Sequence, residues 1–214
     1  MSHVIRVLVE TTPRKAFASA LEWPGLSRAG KDEAGAIEAL LAAAPRYAEV
    51  ARAVGEAFET DDLAVEVAER RDGDATTAFG APSIVADADR RPVDAAEAAR
   101  LAALLDAAWA AFERIAAAAP ESLRKGPRGG GRDRAKVEEH VHGGDDSYAS
   151  VIGIPAADRR TVAALRARVL AILREPSDGS PIAGKKWPPR YAARRFAWHV
   201  LDHAWEILDR SDPA

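Results

Sequence analysis

A chain of 214 residues has room for one large domain or two small ones. Hydrophobic residues at 48%, charged residues at 29% and a formal net charge of -3 provide ample core material and no global bias toward nucleic acid or anionic membrane. Cysteine is absent, which excludes disulfides, thiolate zinc sites and a protein thiol nucleophile. The first ten residues lack the basic, apolar and small-residue zones of a signal peptide, and no run of about 18 apolar residues exists, so a cytoplasmic, non-membrane protein is expected.

In chain order, Val4 to Val9 is rich in β-branched residues, and Ala16 to Trp23 loosely alternates before Pro24-Gly25. These read as two strands ending in the turn Trp23-Pro24-Gly25-Leu26, where Pro sets φ and Gly is free to take positive φ. Gly30-Lys31-Asp32-Glu33 opens a helix with carboxylates in its first turn, where the helix dipole favours them, and Ile37, Leu40 and Leu41 form its apolar stripe. Pro45 predicts the start of a second helical piece through Val54, because proline suits a first turn and breaks an interior. Leu63 to Ala68 alternates as a further strand. The segment reads as a small α+β unit with a sheet of at least three strands.

From Pro92 the strand signal vanishes. Asp94 with Glu97 forms a capping pattern, and Leu101, Leu104, Leu105, Ala108, Phe112 and Ile115 carry a helical stripe to about Ala119. A glycine-rich loop at 126–131 precedes a second helix over 133–151, with Val137, His140, Val141, Gly144 and Tyr148 on one face. Val162, Leu165, Val169 and Ile172 mark a third helix ended by Pro176, and a fourth follows Pro188-Pro189 to about Arg210. Four amphipathic helices separated by breakers predict an up-down-type bundle. The prolines and charges at 82–92 set the expected boundary, giving domains at 1–88 and 89–214.

Four of the five histidines fall on two of these helices: His140 and His142 on the second, His199 and His203 on the fourth. Residues four apart stack on one helical face, so His199 and His203 can share an ion. Phe196, Val200 and Ile207 turn that face inward. Two imidazoles in a core leave ring nitrogens to satisfy, and a metal satisfies one on each ring. His140 fits as the third ligand because it shares a face with Val137, Val141 and Gly144, whereas His142 is turned away by about 200° at the helical period. Three neutral nitrogens suit zinc, nickel or iron(II) without choosing among them, and an open coordination position would make such an ion reactive. Glu206 is a candidate further ligand or an orienting partner of His203. The pattern is not the His-Glu-x-x-His of zinc proteases, since Val200 follows His199 directly. No catalytic side chain is assigned by the sequence.

His140-Val141-His142-Gly143-Gly144-Asp145 on the second helix, with His199-Val200-Leu201-Asp202-His203 on the fourth, resembles the DinB/YfiT-like superfamily of metal-binding four-helix bundles over about residues 92–210. The resemblance implies His140, His199 and His203 as metal ligands, and an enzyme that uses a low-molecular-weight thiol as cosubstrate for transfer or isomerisation of a small molecule. His142 is an addition to that pattern. The stretch Ala18 to Gly30, with the Ala-rich helix after it, resembles HicB-like antitoxin domains over about residues 4–55, without the DNA-binding tail such antitoxins usually carry. The alternatives to an enzyme are a non-catalytic, metal-stabilised binding or stress-response protein and an antitoxin-like interaction protein.

Two further stretches carry chemistry. The basic loop from Arg124 to Lys136 joins two helices and lacks the Gly-Lys-Ser/Thr ending, so it is not a nucleotide-binding P-loop. Its sharper reading is an anion-attracting lid in which Arg128 or Arg132 meets a substrate carboxylate; a solvated connection is the plainer one. Lys185-Lys186-Trp187 and Arg190-Tyr191-Arg194-Arg195 have a composition seen in nucleic-acid binders. The helical spacing of Trp198 and Trp205 instead indicates packing, against the N-terminal segment or a second copy in a homodimer, so nucleic acid is not the expected partner.

Overall fold

The structure is a computed structural model and describes residues 3–125 and 131–211. Its elements in order are β1 (Val4–Thr12), β2 (Lys15–Ala20), β3 (Ser27–Gly30), α1 (Glu33–Ala53), β4 (Ala64–Asp72), α2 (Ala75–Phe79), α3 (Ala95–Ala118), α4 (Arg134–Val151), α5 (Val162–Leu173) and α6 (Pro189–Ser211). The architecture is mixed α+β. One four-stranded sheet has the order β3-β2-β1-β4, with β1/β2 and β2/β3 antiparallel and β1/β4 parallel.

Alternation sorts the strand side chains onto two faces. Ile5, Val7, Val9, Ala16, Ala18 and Ala20 join the main core with Ala36, Leu40, Ala43 and Tyr47 of α1. The opposite face presents Leu8 and Leu21, which pack with Ala86, and Phe17, which packs with Ala81 and Trp198. Glu10 is fully buried on this side and accepts hydrogen bonds from Thr77 Oγ1 and from the amides of Ser83 and Ile84, so the segment after β4 is bolted onto the sheet.

At the predicted turn, Gly25 takes φ +96°, and the Leu26 amide donates to the Trp23 carbonyl. The helix reading at Pro45 needs correction. α1 runs unbroken through it, capped at its start by Asp32, whose Oδ1 accepts from the Gly35 amide at 2.9 Å. Proline removes one backbone donor, but Ala43, Ala44, Tyr47 and Ala48 around it are buried, and the Tyr47 hydroxyl donates to the Pro24 carbonyl at 2.9 Å. Tertiary packing here outweighs the local disruption. The short helix α2, capped by Asp74 and Thr77, was not anticipated.

The four helices expected after Pro92 are α3 to α6. Asp94 caps α3 through the Glu97 amide at 2.8 Å, as its sequence pattern implies. α6 is the central element: it packs against α3 and α4 on one side and against the sheet on the other. Sheet-side contacts come from Ala197, Trp198, Leu201 and Trp205. Trp198 meets Phe17 edge-on, Arg28 stacks over the Trp205 indole at 4.1 Å, and the Gly25 turn seats against Ala197 and Leu201. One hydrophobic core runs through both segments of the chain.

The basic run of α6 is packed, not displayed. Arg190, Arg194 and Arg195 are all buried. Arg194 forms a two-pronged pair with Asp89, with Nε to Oδ1 at 3.0 Å, and Arg195 Nη1 donates to the Pro82 carbonyl at 2.6 Å. Arg190 donates to the carbonyls of Arg91 and Pro92 and pairs with Glu97. The segment expected to be a boundary is thus clamped to α6. Among the described residues, no helix is long and apolar enough to cross a membrane.

Candidate metal centre

α4 supplies His140 and α6 supplies His199 and His203. The helices meet antiparallel: His140 faces His203 with ring centroids 4.7 Å apart, and about two turns further Tyr148 faces Phe196 at 5.5 Å. His199 lies between, 5.1 Å from the His140 ring and 4.8 Å from the His203 ring. One ring nitrogen from each of the three falls within 4.8 Å of the others, the only such grouping of possible metal ligands among the described residues.

The donor set fits a divalent transition ion. Imidazole nitrogens bound at about 2.0–2.1 Å in a tetrahedron stand about 3.3–3.4 Å apart. His140 Nε2 and His199 Nε2 are separated by 3.4 Å. His203 Nδ1 lies 2.8 Å from Glu206 Oε2, an arrangement that places the ring proton on Nδ1 and frees Nε2 as a ligand. His199 Nδ1 is buried without a hydrogen-bond partner, a group whose desolvation no described side chain offsets.

Burial favours the neutral form of His199 and His140, the form that binds a metal. Burial pushes the His199 imidazole down to about 2, helped by the neighbouring His203, His140, Arg195 and Arg132. His140 is also shifted down, first by burial and then by His203 and Arg132, with Glu206 opposing. The hydrogen bond from His203 is the main cause holding the Glu206 carboxyl below its usual range, with Arg210 contributing. Arg210 Nη1 donates to Glu206 Oε1 at 2.8 Å, so both carboxylate oxygens are engaged.

A cleft of about 500 Å³ runs beside this cluster along α4, from Lys136 to Tyr148, with His140 and His199 in its wall. Arg132 also lines it and has no ion pair or hydrogen bond among the described residues, whereas Lys136 is paired with Glu139. Tyr148 is held by Phe196, His199 and Trp187, with Arg195 over its ring at 5.0 Å. A second depression of about 650 Å³ lies where α1 and β3 face α6, and Glu206 reaches its wall; there Arg28 pairs with Asp202 and Arg46 with Asp209.

The structure brings His140, His199 and His203 together and leaves His142 apart. His142 Nε2 faces Glu113 of α3 at 3.8 Å, as its position around α4 implies. Glu206 is a partner of His203 and not a member of the three-nitrogen group. Arg128 lies outside the described residues. Sequence reasoning missed Asp145, fully buried beside Arg166 at 3.4 Å, since a carboxylate next to two glycines on a polar helix has no buried signature. It also missed the part played by Arg195 behind Tyr148.

Comparison of the chain with models of known families, with curated proteins and with solved structures finds no match.

Proposed function

We propose that His140, His199 and His203 hold one divalent transition metal (zinc, nickel or iron(II)) and that the chain is a metal-dependent enzyme acting on a small molecule with a low-molecular-weight thiol as cosubstrate. The observation that carries this reading is the convergence of three imidazole nitrogens within 4.8 Å, with His140 and His199 in the wall of a cleft large enough for a ligand. Such an ion, when bound with an open position, acts as a Lewis acid and lowers the pKa of a bound thiol or water.

The chain's own residues prepare that position. Glu206 fixes the orientation and tautomer of His203, and burial keeps His199 neutral. Arg132, which has no ion pair among the described residues, offers the cleft a guanidinium for a carboxylate or other anionic group of the substrate. Tyr148, backed by Trp187, provides an aromatic wall.

The family we favour is a DinB-like bundle over 89–214 after a HicB-like unit over 1–88, in a cytoplasmic protein. The helix order, with one histidine on α4 and a pair on α6, supports the first part, and three strands followed by a helix support the second. A homodimer is compatible with either part. The competing function is a non-catalytic, metal-stabilised module, favoured by the burial of His199 and by the way the cluster ties α4 to α6.

Metal analysis of the purified chain beside His140→Ala and the His199→Ala/His203→Ala double variant tests the site. Stoichiometric metal in the wild type and its loss in the variants is expected; full occupancy in the double variant would refute the ligand set. Addition of a simple thiol to the cobalt(II)-loaded protein then separates the two functions. A sulfur-to-cobalt charge-transfer band supports the enzyme, whereas an unchanged spectrum supports the closed, structural ion.

A further inference from the structure

α4 carries adjacent glycines in its middle, Gly143 and Gly144, although glycine is the poorest helix former after proline. Their surroundings differ. A Cβ placed on Gly144 would lie 2.2 Å from His199 Cε1 and 2.7 Å from His199 Nδ1, far inside van der Waals contact. A Cβ placed on Gly143 would meet nothing within 4 Å. Gly144 is one turn beyond His140, on the face that meets α6, so the two α4 positions seat the two α6 histidines: His140 against His203, and Gly144 against His199.

We infer that Gly144 is a positioning residue of the metal centre: its missing side chain is the seat that brings the His199 ring within ligand distance of His140. The inference rests on the metal reading above. The His199 ring cannot give way to a methyl group on its own. It is 5% exposed and hemmed in by Tyr148 at 5.4 Å, Trp198 at 6.1 Å and His203 at 4.8 Å between ring centroids. Either the ring leaves its rotamer or α4 moves away from α6, and both outcomes open the 3.4 Å separation of His140 Nε2 and His199 Nε2. Gly143, which lines the cleft but touches no ligand, is a matched control: it has the same residue type, helix and neighbourhood.

The test compares Gly143→Ala and Gly144→Ala in the full chain, reading zinc affinity by competition with a chromophoric chelator and ligand geometry by the visible spectrum of the cobalt(II) form. Gly143→Ala should match the wild type within about twofold, and Gly144→Ala should bind at least about tenfold more weakly, with an altered cobalt spectrum. Wild-type affinity and spectrum in Gly144→Ala, or an equal loss in both variants, would overturn the inference. To guard against misfolding, Gly144→Ala is also placed in a His199→Ala background, where the ring it would strike is gone. There it should raise the unfolding midpoint or leave it unchanged; equal disruption with and without the ring would show that His199 is not what the seat accommodates. A wild type that binds no metal would refute the metal reading itself, an outcome the chelator titration reports before any variant is made.

Discussion

His203 Nδ1 and Glu206 Oε2 stand 2.8 Å apart on α6, three residues from one another along the helix, and Arg210 holds the other carboxylate oxygen from one turn further on. In the proposed metal centre, a histidine whose second nitrogen is anchored in this way would have its tautomer and ring orientation set before an ion binds. Glu206→Ala should therefore weaken metal binding by about 10- to 100-fold. Glu206→Gln, which still offers an oxygen to the Nδ1 proton, should lose less. Chelator competition reads both, and an unchanged affinity in the alanine variant would remove Glu206 from the centre.

Arg194 and Asp89 form the most deeply buried ion pair of the α6 clamp, with side chains 7% and 1% exposed. Removing one partner leaves an uncompensated charge in the core. Arg194→Met should cost about 3–5 kcal/mol of stability in urea unfolding, and Arg194→Met/Asp89→Leu should recover part of it. A single variant within about 1 kcal/mol of wild type would contradict the pairing.

Gly25 combines a left-handed φ of +96° with a Cβ position 2.7 Å from Leu201 Cδ1 and 3.0 Å from Ala197 Cβ. Gly25→Ala should lower stability by about 2–4 kcal/mol, from backbone strain and overpacking together. Gly55 also has positive φ, at +77°, but faces open space, so Gly55→Ala should cost only about 1 kcal/mol. Equal losses would mean that the turn does not press on α6.

Burial pushes the Asp145 carboxyl up to about 6, with Arg166 only partly offsetting it. The folded state therefore holds a proton that the unfolded state has already released between about pH 4 and pH 6. Stability linked to this group is fully present below pH 4 and is lost as pH rises through 6, by up to about 3 kcal/mol. Urea unfolding at pH 4.5 and pH 7 should show Asp145→Asn losing less than wild type over that rise. Parallel pH profiles for the two proteins would exclude the effect.

The candidate site was legible in outline because helical periodicity is local. The spacing of His199 and His203 and the inward stripe around them follow from 3.6 residues per turn, and so does the separation of His142 from His140. The same logic yields the turn at Gly25, the cap at Asp94 and four helices after Pro92. It misjudged Pro45 because local rules count the lost hydrogen bond but not the burial of Tyr47 and its alanine neighbours on either side. It favoured packing for the basic-aromatic run of α6 but could not name the partners that bury it, because Asp89, Glu97 and the Pro82 carbonyl are about a hundred residues distant in the chain.

By itself, then, the sequence determined the elements and the faces on which chemistry could stand, through periodicity, capping and turn residues. Only the tertiary structure decided which faces meet. The antiparallel approach of α4 to α6 sets His140 beside the pair on α6, and the bare surface of Gly144 takes the ring of His199. That approach depends on close packing of side chains far apart in the chain, a condition that no local pattern of residues encodes.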